Sequence, residues 1–179
     1  MDKNVSLGST YLLVSRHGFG VARIGEYSSR GEVKELFNTF IDTGINFIDT
    51  ADCYTNSEEM IGEFLKVHKN KFIVSTKCGC INTKEDAIAH SPEVIRRNID
   101  RSLRRLSVDS LDLVYLHTCS ASVLRSGEAV EALLRERDAG KVRFIRYSGD
   151  GEDALCAIEI GVFEALQVPF NIPGPIGLV

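Results

Sequence analysis

Gly44-Ile45-Asn46-Phe47-Ile48-Asp49-Thr50-Ala51-Asp52-Cys53-Tyr54 is the most informative stretch of this chain. Ile45 to Asp49 reads as a short strand, and Gly44 before it suits the left-handed exit of a helix. The strand stops at a carboxylate, and a phenol follows within one turn. In folds built from parallel strands, the carboxyl ends converge on one face and sites form there. A polar side chain at such an end is therefore a candidate site residue.

The same arrangement recurs along the chain. Phe72 to Thr76, Leu111 to Leu116, Val142 to Ile145 and Ala165 to Val168 read as further strands, largely apolar on both faces as buried parallel strands require. Helical patterns separate them. Ser29-Arg30-Gly31-Glu32 is a capping box, in which two side chains satisfy amides left free at a helix start. Val33, Leu36, Phe37, Phe40 and Ile41 then line one helical face. Asn56 or Ser57 starts a helix carrying Ile61, Phe64 and Leu65. Ser91-Pro92-Glu93 opens another, where the missing Pro amide costs nothing, with Ile95, Ile99, Leu103 and Leu106 on one stripe. Val130, Leu133 and Leu134 mark a helix near 128–139 that Gly140 ends.

Strand and helix in alternation imply an α/β chain with right-handed crossovers and a parallel sheet. A doubly wound sheet and a (β/α)8 TIM-type barrel both fit that rhythm. No glycine-rich dinucleotide fingerprint or phosphate loop occurs, which counts against the open nucleotide-binding sheet.

Composition narrows the classes. The chain has 179 residues, 44% hydrophobic, which excludes a wholly disordered protein. No apolar run approaches the roughly 20 residues of a membrane span, and Met1 to Thr10 lacks a secretory pattern, so a cytoplasmic protein is expected. A net charge of −4 argues against nucleic acid as partner. The basic clusters at Arg96-Arg97 and Arg101 to Arg105 read as a solvated helix face. Five cysteines without an export signal do not suggest a disulfide framework. Cys78-Gly79-Cys80 has one intervening residue rather than the two to four of zinc knuckles, and no metal is expected. Cys53, Cys78, Cys80 and Cys119 each follow a strand end near His117. They read as small residues filling tight positions, with a metal or redox role as the alternative.

Asp49, Tyr54, Lys77 and His117 form a chemically coherent set. A phenol ordinarily titrates near pH ~10, and an adjacent ammonium favours its phenolate. Lys77 supplies an ammonium and Asp49 a carboxylate to hold it, while His117 offers a hydrogen bond to a substrate oxygen. Together they suit protonation of a carbonyl oxygen as hydride reaches its carbon, the hydride coming from a cofactor.

The stretch from Gly44 to Tyr54, running into Asn56-Ser57-Glu58, resembles the aldo-keto reductase signature. Ser75-Thr76-Lys77 resembles the family's lysine strand end, and Leu111 to His117 its histidine strand. Lys141 to Ile145 with Tyr147-Ser148-Gly149-Asp150 resembles the next strand and its cofactor loop, and Leu166-Gln167 the strand after that. The likeness runs in order from about residue 12 to about residue 171. It implies an NADPH-dependent oxidoreductase that reduces an aldehyde or ketone to an alcohol. Tyr54 would be the general acid, Asp49 and Lys77 its tuning pair and His117 the substrate-orienting group. Gly20 and Asp49 would lie against the cofactor, and Ser148 and Gln167 would bond the nicotinamide carboxamide. Glu58 belongs to the motif, yet reads physically as a carboxylate at a helix start.

Two positions depart from the family pattern: Arg146 stands where a Gly is usual, and Gly149 where Asn is common. Arg146 is expected either to crowd the barrel or to project outward. A complete barrel takes about 250 residues. The expectation is one incomplete barrel domain over 1–179 with about six βα units. Residues 170–179, with their prolines and glycines, read as an irregular tail. The competing expectation is a truncated, inactive relative that self-associates through an open barrel edge as an interaction module.

Overall fold

The computed structural model describes residues 4–27, 29–68, 70–81 and 88–169. The expected tail at 170–179 lies outside them. Strands β1 (Asn4–Ser6) and β2 (Leu13–Ser15) form an antiparallel hairpin that the sequence reading did not anticipate. It is fastened to the strand-entry residue Asn46, whose Oδ1 accepts from the Ser15 amide at 2.6 Å and whose Nδ2 donates to the Leu13 carbonyl at 2.9 Å.

The remaining strands form one parallel sheet in unbroken sequence order: β3 (Phe19–Gly20), β4 (Phe47–Asp49), β5 (Ile73–Cys78), β6 (Leu111–His117), β7 (Val142–Ser148) and β8 (Leu166–Gln167). A doubly wound sheet reverses its strand order at a switch point. This one never does, so it curls as an incomplete (β/α)8 barrel of six strands.

The helices cover the convex side: α1 (Ile24–Tyr27), α2 (Arg30–Thr43), α3 (Ser57–Leu65), α4 (Pro92–Leu106), α5 (Ala121–Ser126), α6 (Glu128–Asp138) and α7 (Gly151–Ile160). Their ends follow the sequence signals. Ser29 and Glu32 make both bonds of the capping box, with the Ser29 amide donating to Glu32 at 2.7 Å. Gly44 adopts φ 81° and closes α2. Ser91 accepts from the Val94 amide at 3.3 Å to cap α4. Among the described residues no helix is long and apolar enough to cross a membrane.

Successive strand residues point to opposite faces. Ile48, Val74, Val114, Leu116, Ile145 and Tyr147 face the helices and join Phe37, Ile61, Ile95, Ile99 and Leu133 in the core. The opposite parity collects the polar residues. In register, Gly20 pairs with Asp49, Lys77 with Tyr115, Tyr115 with Arg146, His117 with Ser148, and Ser148 with Gln167. All lie on the concave face.

At one point α3 and α4 approach so closely that only glycine fits. A Cβ on Gly62 would overlap the Arg105 carbonyl.

The arginine-rich face of α4 corrects the expectation of a solvated surface. Arg97, Arg101 and Arg105 recur every four residues and so share one helical side, while Arg96 and Arg104 face water. Arg101 grips Asp52 with Nε and Nη2 at 2.6 Å each. Arg105 Nη1 donates to the Asp52 carbonyl at 2.8 Å and to Oδ1 at 3.1 Å, and Arg105 Nε pairs with Glu59 at 2.7 Å. The Asp52 side chain is 1% exposed. The network is a clamp on the turn between β4 and Tyr54.

Glu58 does lie at a helix start, yet it is fully buried there, which the sequence reading did not foresee. Thr76 Oγ1 donates to it at 2.7 Å, and Arg105 stands 3.5 Å away. Burial, more than any other influence, raises its carboxyl from the ordinary 4.5 to about 7. The folded protein therefore holds a proton that the unfolded chain releases between those values. The resulting stability is fully present below about pH 4.5 and is lost as pH rises through about 7. Thermal melts of wild type and Glu58→Gln across this window are expected to show a wild-type decline that the variant lacks. Parallel profiles would contradict this account of Glu58.

Candidate active site

Lys77 lies on the penultimate position of β5 with its side chain 4% exposed, and its ammonium meets three oxygens. Nζ donates to Asp49 Oδ2 at 2.6 Å and to the Thr50 carbonyl at 2.7 Å, and it stands 3.5 Å from Tyr54 Oη. Asp49 is held from its other side by Ser75 Oγ, which donates to Oδ1 at 2.7 Å. Asp49 and the Thr50 carbonyl thus fix one end of the ammonium, and a proton of Nζ is left for the phenol.

Tyr54 reaches this point because the chain after β4 turns sharply. The Tyr54 amide donates to the Ala51 carbonyl at 3.0 Å, Asp52 is clamped by α4, and Ser57 Oγ donates to the Val21 carbonyl at 2.9 Å. His117, the last residue of β6, presents its ring at right angles to that of Tyr54 with centroids 6.4 Å apart. The catalytic set expected from sequence, Asp49, Tyr54, Lys77 and His117, is therefore assembled in one place.

The four residues expected to meet a cofactor border the same face. A Cβ at Gly20 would meet no atom of the described residues within 4 Å, so the edge beside Asp49 is open there. Ser148 Oγ donates to Gln167 Oε1 at 3.2 Å. That leaves the Gln167 amide and the lone pairs of Ser148 available to a planar carboxamide. These features fit a nicotinamide ring lying against the open strand ends.

The structure places both unusual positions. Gly149 is glycine because a Cβ there would overlap the Tyr147 phenol, which donates inward to the Cys119 carbonyl at 2.7 Å. Arg146 neither projects outward nor reaches solvent. It is 1% exposed on the concave side, in the same layer as Lys77, with its guanidinium 5.9 Å from the Tyr115 ring centroid. Nη1 approaches Tyr115 Oη at 3.5 Å, while Nε and Nη2 have no hydrogen-bond partner among the described residues. Tyr115 thus lies in register between two cations, Lys77 and Arg146.

The cysteines divide into two kinds. Cys78, Cys119 and Cys156 are buried, whereas Cys53 and Cys80 stand half-buried beside His117. All five are free thiols. Desolvation pushes the buried Cys119 thiol up to about 12. Cys53 is pulled the other way, first by the hydrogen bond from Cys80, with His117 adding to it. Sequence spacing did not separate these classes, because alternation along β5 sends Cys78 to the core while the turn at Gly79 sends Cys80 to the mouth.

Comparison with known proteins agrees with this geometry. The family model described as Aldo/keto reductase family matches residues 17–172. L-galactose dehydrogenase of Arabidopsis thaliana is 36% identical over 158 residues, covering 80% of this chain and 47% of that protein. NADH-specific methylglyoxal reductase of Escherichia coli (strain K12) is 28% identical over 193 residues, covering 95% of this chain and 59% of that protein. An aldo-keto reductase from Bacillus halodurans, solved in its holo form, superposes with a TM-score of 0.81 at 26% identity, covering 94% of this chain and 57% of that chain. The chain spans about half the length of the curated relatives it matches.

Proposed function

The chain belongs to the aldo/keto reductase family, and from that premise we propose that it reduces an aldehyde or ketone to an alcohol with a nicotinamide cofactor. The observation that carries this reading is the linked set Asp49, Lys77 and Tyr54, with His117 facing the phenol across the same opening. A phenol beside a fixed ammonium is a proton donor whose charge left behind is met at once.

In this reading a substrate carbonyl lies between Tyr54 and His117. Tyr54 Oη gives its proton to the carbonyl oxygen. The phenolate left behind faces Lys77 Nζ, which Asp49 and the Thr50 carbonyl keep in position. His117 borders the carbonyl from the other side and orients it. Gly20 and Asp49 would support the face of the nicotinamide, and Ser148 and Gln167 would bond its carboxamide. The cofactor, when bound, supplies the hydride, which no side chain carries. NADPH is the expected donor, with NADH the alternative in view of the NADH-specific relative.

The test is cofactor oxidation with a panel of aldehydes such as 4-nitrobenzaldehyde, run with NADPH and NADH in parallel. The chain has no Trp, so emission of the reduced nicotinamide reports binding without overlap. Expected are a rise in that emission on binding and aldehyde-dependent oxidation above the protein-free rate. Neither signal with either cofactor would overturn the proposal.

A further inference from the structure

We propose that Cys53, Cys80 and His117 form a binding site for a thiophilic divalent cation, zinc being the best match, at the mouth of the concave face. The three residues come from separate elements: the turn after β4, the turn after β5 and the last position of β6. Their ligand atoms nevertheless all lie within 4.8 Å of one another. Cys80 Sγ stands 3.1 Å and Cys53 Sγ 3.9 Å from His117 Nδ1.

Those separations match a tetrahedral ion. Zinc bonds of about 2.3 Å to sulfur and 2.0–2.1 Å to nitrogen place neighbouring ligands roughly 3.5–3.8 Å apart. Closing onto an ion asks each side chain for shifts of a few tenths of an ångström to about 1 Å. Two sulfurs and an imidazole select a soft ion over magnesium or calcium. Three protein ligands also leave a fourth position open, and all three residues are partly exposed, so ion and water have access.

The backbone holds the ligands ready. Gly79 adopts φ 102°, and its amide donates to the fully buried Asn98 Oδ1 at 2.8 Å, which turns Cys80 toward the mouth. His90 Nε2 bonds the His117 carbonyl at 2.8 Å and pins the end of β6. Binding converts both thiols to thiolates and releases their protons to solvent. An ion so held occupies the imidazole of His117, whose ring meets that of Tyr54 edge-on. This consequence rests on the reductase reading, and in it zinc inhibits turnover. The binding itself does not depend on that reading.

The experiment uses the reduced, chelator-treated 179-residue chain without a histidine tag. Cobalt(II) is titrated in, and the thiolate-to-cobalt charge-transfer band and tetrahedral visible bands are followed. One cobalt per chain, displaced by one zinc, is expected. Cys53→Ser and Cys80→Ser are each expected to weaken binding by at least about 100-fold, since even outer-shell partners cost 10–100-fold. Circular dichroism confirms that each variant is folded, and Cys156→Ala is expected to bind as wild type does. A cobalt spectrum without the thiolate band, or unchanged affinity in the Cys53/Cys80 double serine variant, overturns the proposal. Zinc inhibition of turnover, lost in Cys80→Ser, is the separate test of its consequence. A chain that binds cobalt as described but lacks turnover overturns only the reductase reading.

Discussion

Replacing Tyr54 by Phe is expected to lower kcat for aldehyde reduction by about 10²–10⁴-fold, the usual worth of a positioned proton donor. The substitution deletes one oxygen and leaves the ring, so the edge contact with His117 and the turn after β4 are preserved. The lost oxygen is the one 3.5 Å from Lys77 Nζ. None of the residues expected to touch the cofactor is altered, so cofactor affinity is expected to stay within about 2-fold, a difference of ~0.4 kcal/mol. Single-turnover measurement separates the two quantities. A variant that keeps more than a tenth of the wild-type rate would remove Tyr54 from the mechanism.

Asp52→Ala is expected to be the most destabilising single change in the clamp. It leaves the Arg101 and Arg105 guanidinium groups without the carboxylate that both engage. Breaking a buried ion pair by removing one partner costs about 3–5 kcal/mol. Arg105 is 27% exposed and recovers some hydration, so the lower half of that range is expected. For a domain of this size that corresponds to a fall in Tm of roughly 6–16 °C. Urea denaturation of wild type, Asp52→Ala and Asp52→Asn is the measurement. A loss under about 1 kcal/mol for Asp52→Ala would mean that solvent screens the pair as it does at an open surface. Turnover is also expected to fall in the folded fraction, because Asp52 sits two residues before Tyr54 and fixes the turn that aims it.

Strand ends carried most of what could be read beforehand. Asp49, Lys77, His117 and Ser148 stand out in sequence because each breaks an apolar run, and the parallel register brings all four to one face. Strand β7 extends to Ser148, beyond the Val142 to Ile145 core of the pattern, because its ladder with β6 continues as far as His117. The clamp was not legible. A run of arginines on a helix looks the same whether the helix faces water or a buried acid, and only the packing of α4 on α3 decides between them. The four-residue spacing of Arg97, Arg101 and Arg105 was the available clue. The pairing of Cys53 with Cys80 was hidden for a related reason: two turns far apart in sequence become neighbours only when β4 and β5 lie side by side. Arg146 was legible as a departure but not in its direction, which follows from the parity of β7.

Gly62 ties these features to how the sequence can change over time. Glu63, the exposed position of α3, makes only a surface pair with Arg30 and can change at little cost. Position 62 cannot, because any side chain would have to displace the α4 backbone at Arg105. Such a displacement would carry Arg101 and Arg105 away from Asp52 and so reach Tyr54. The two helices can therefore diverge only as a linked pair, and an innocuous-looking glycine on the outer face becomes a gatekeeper of inheritance for the placement of Tyr54.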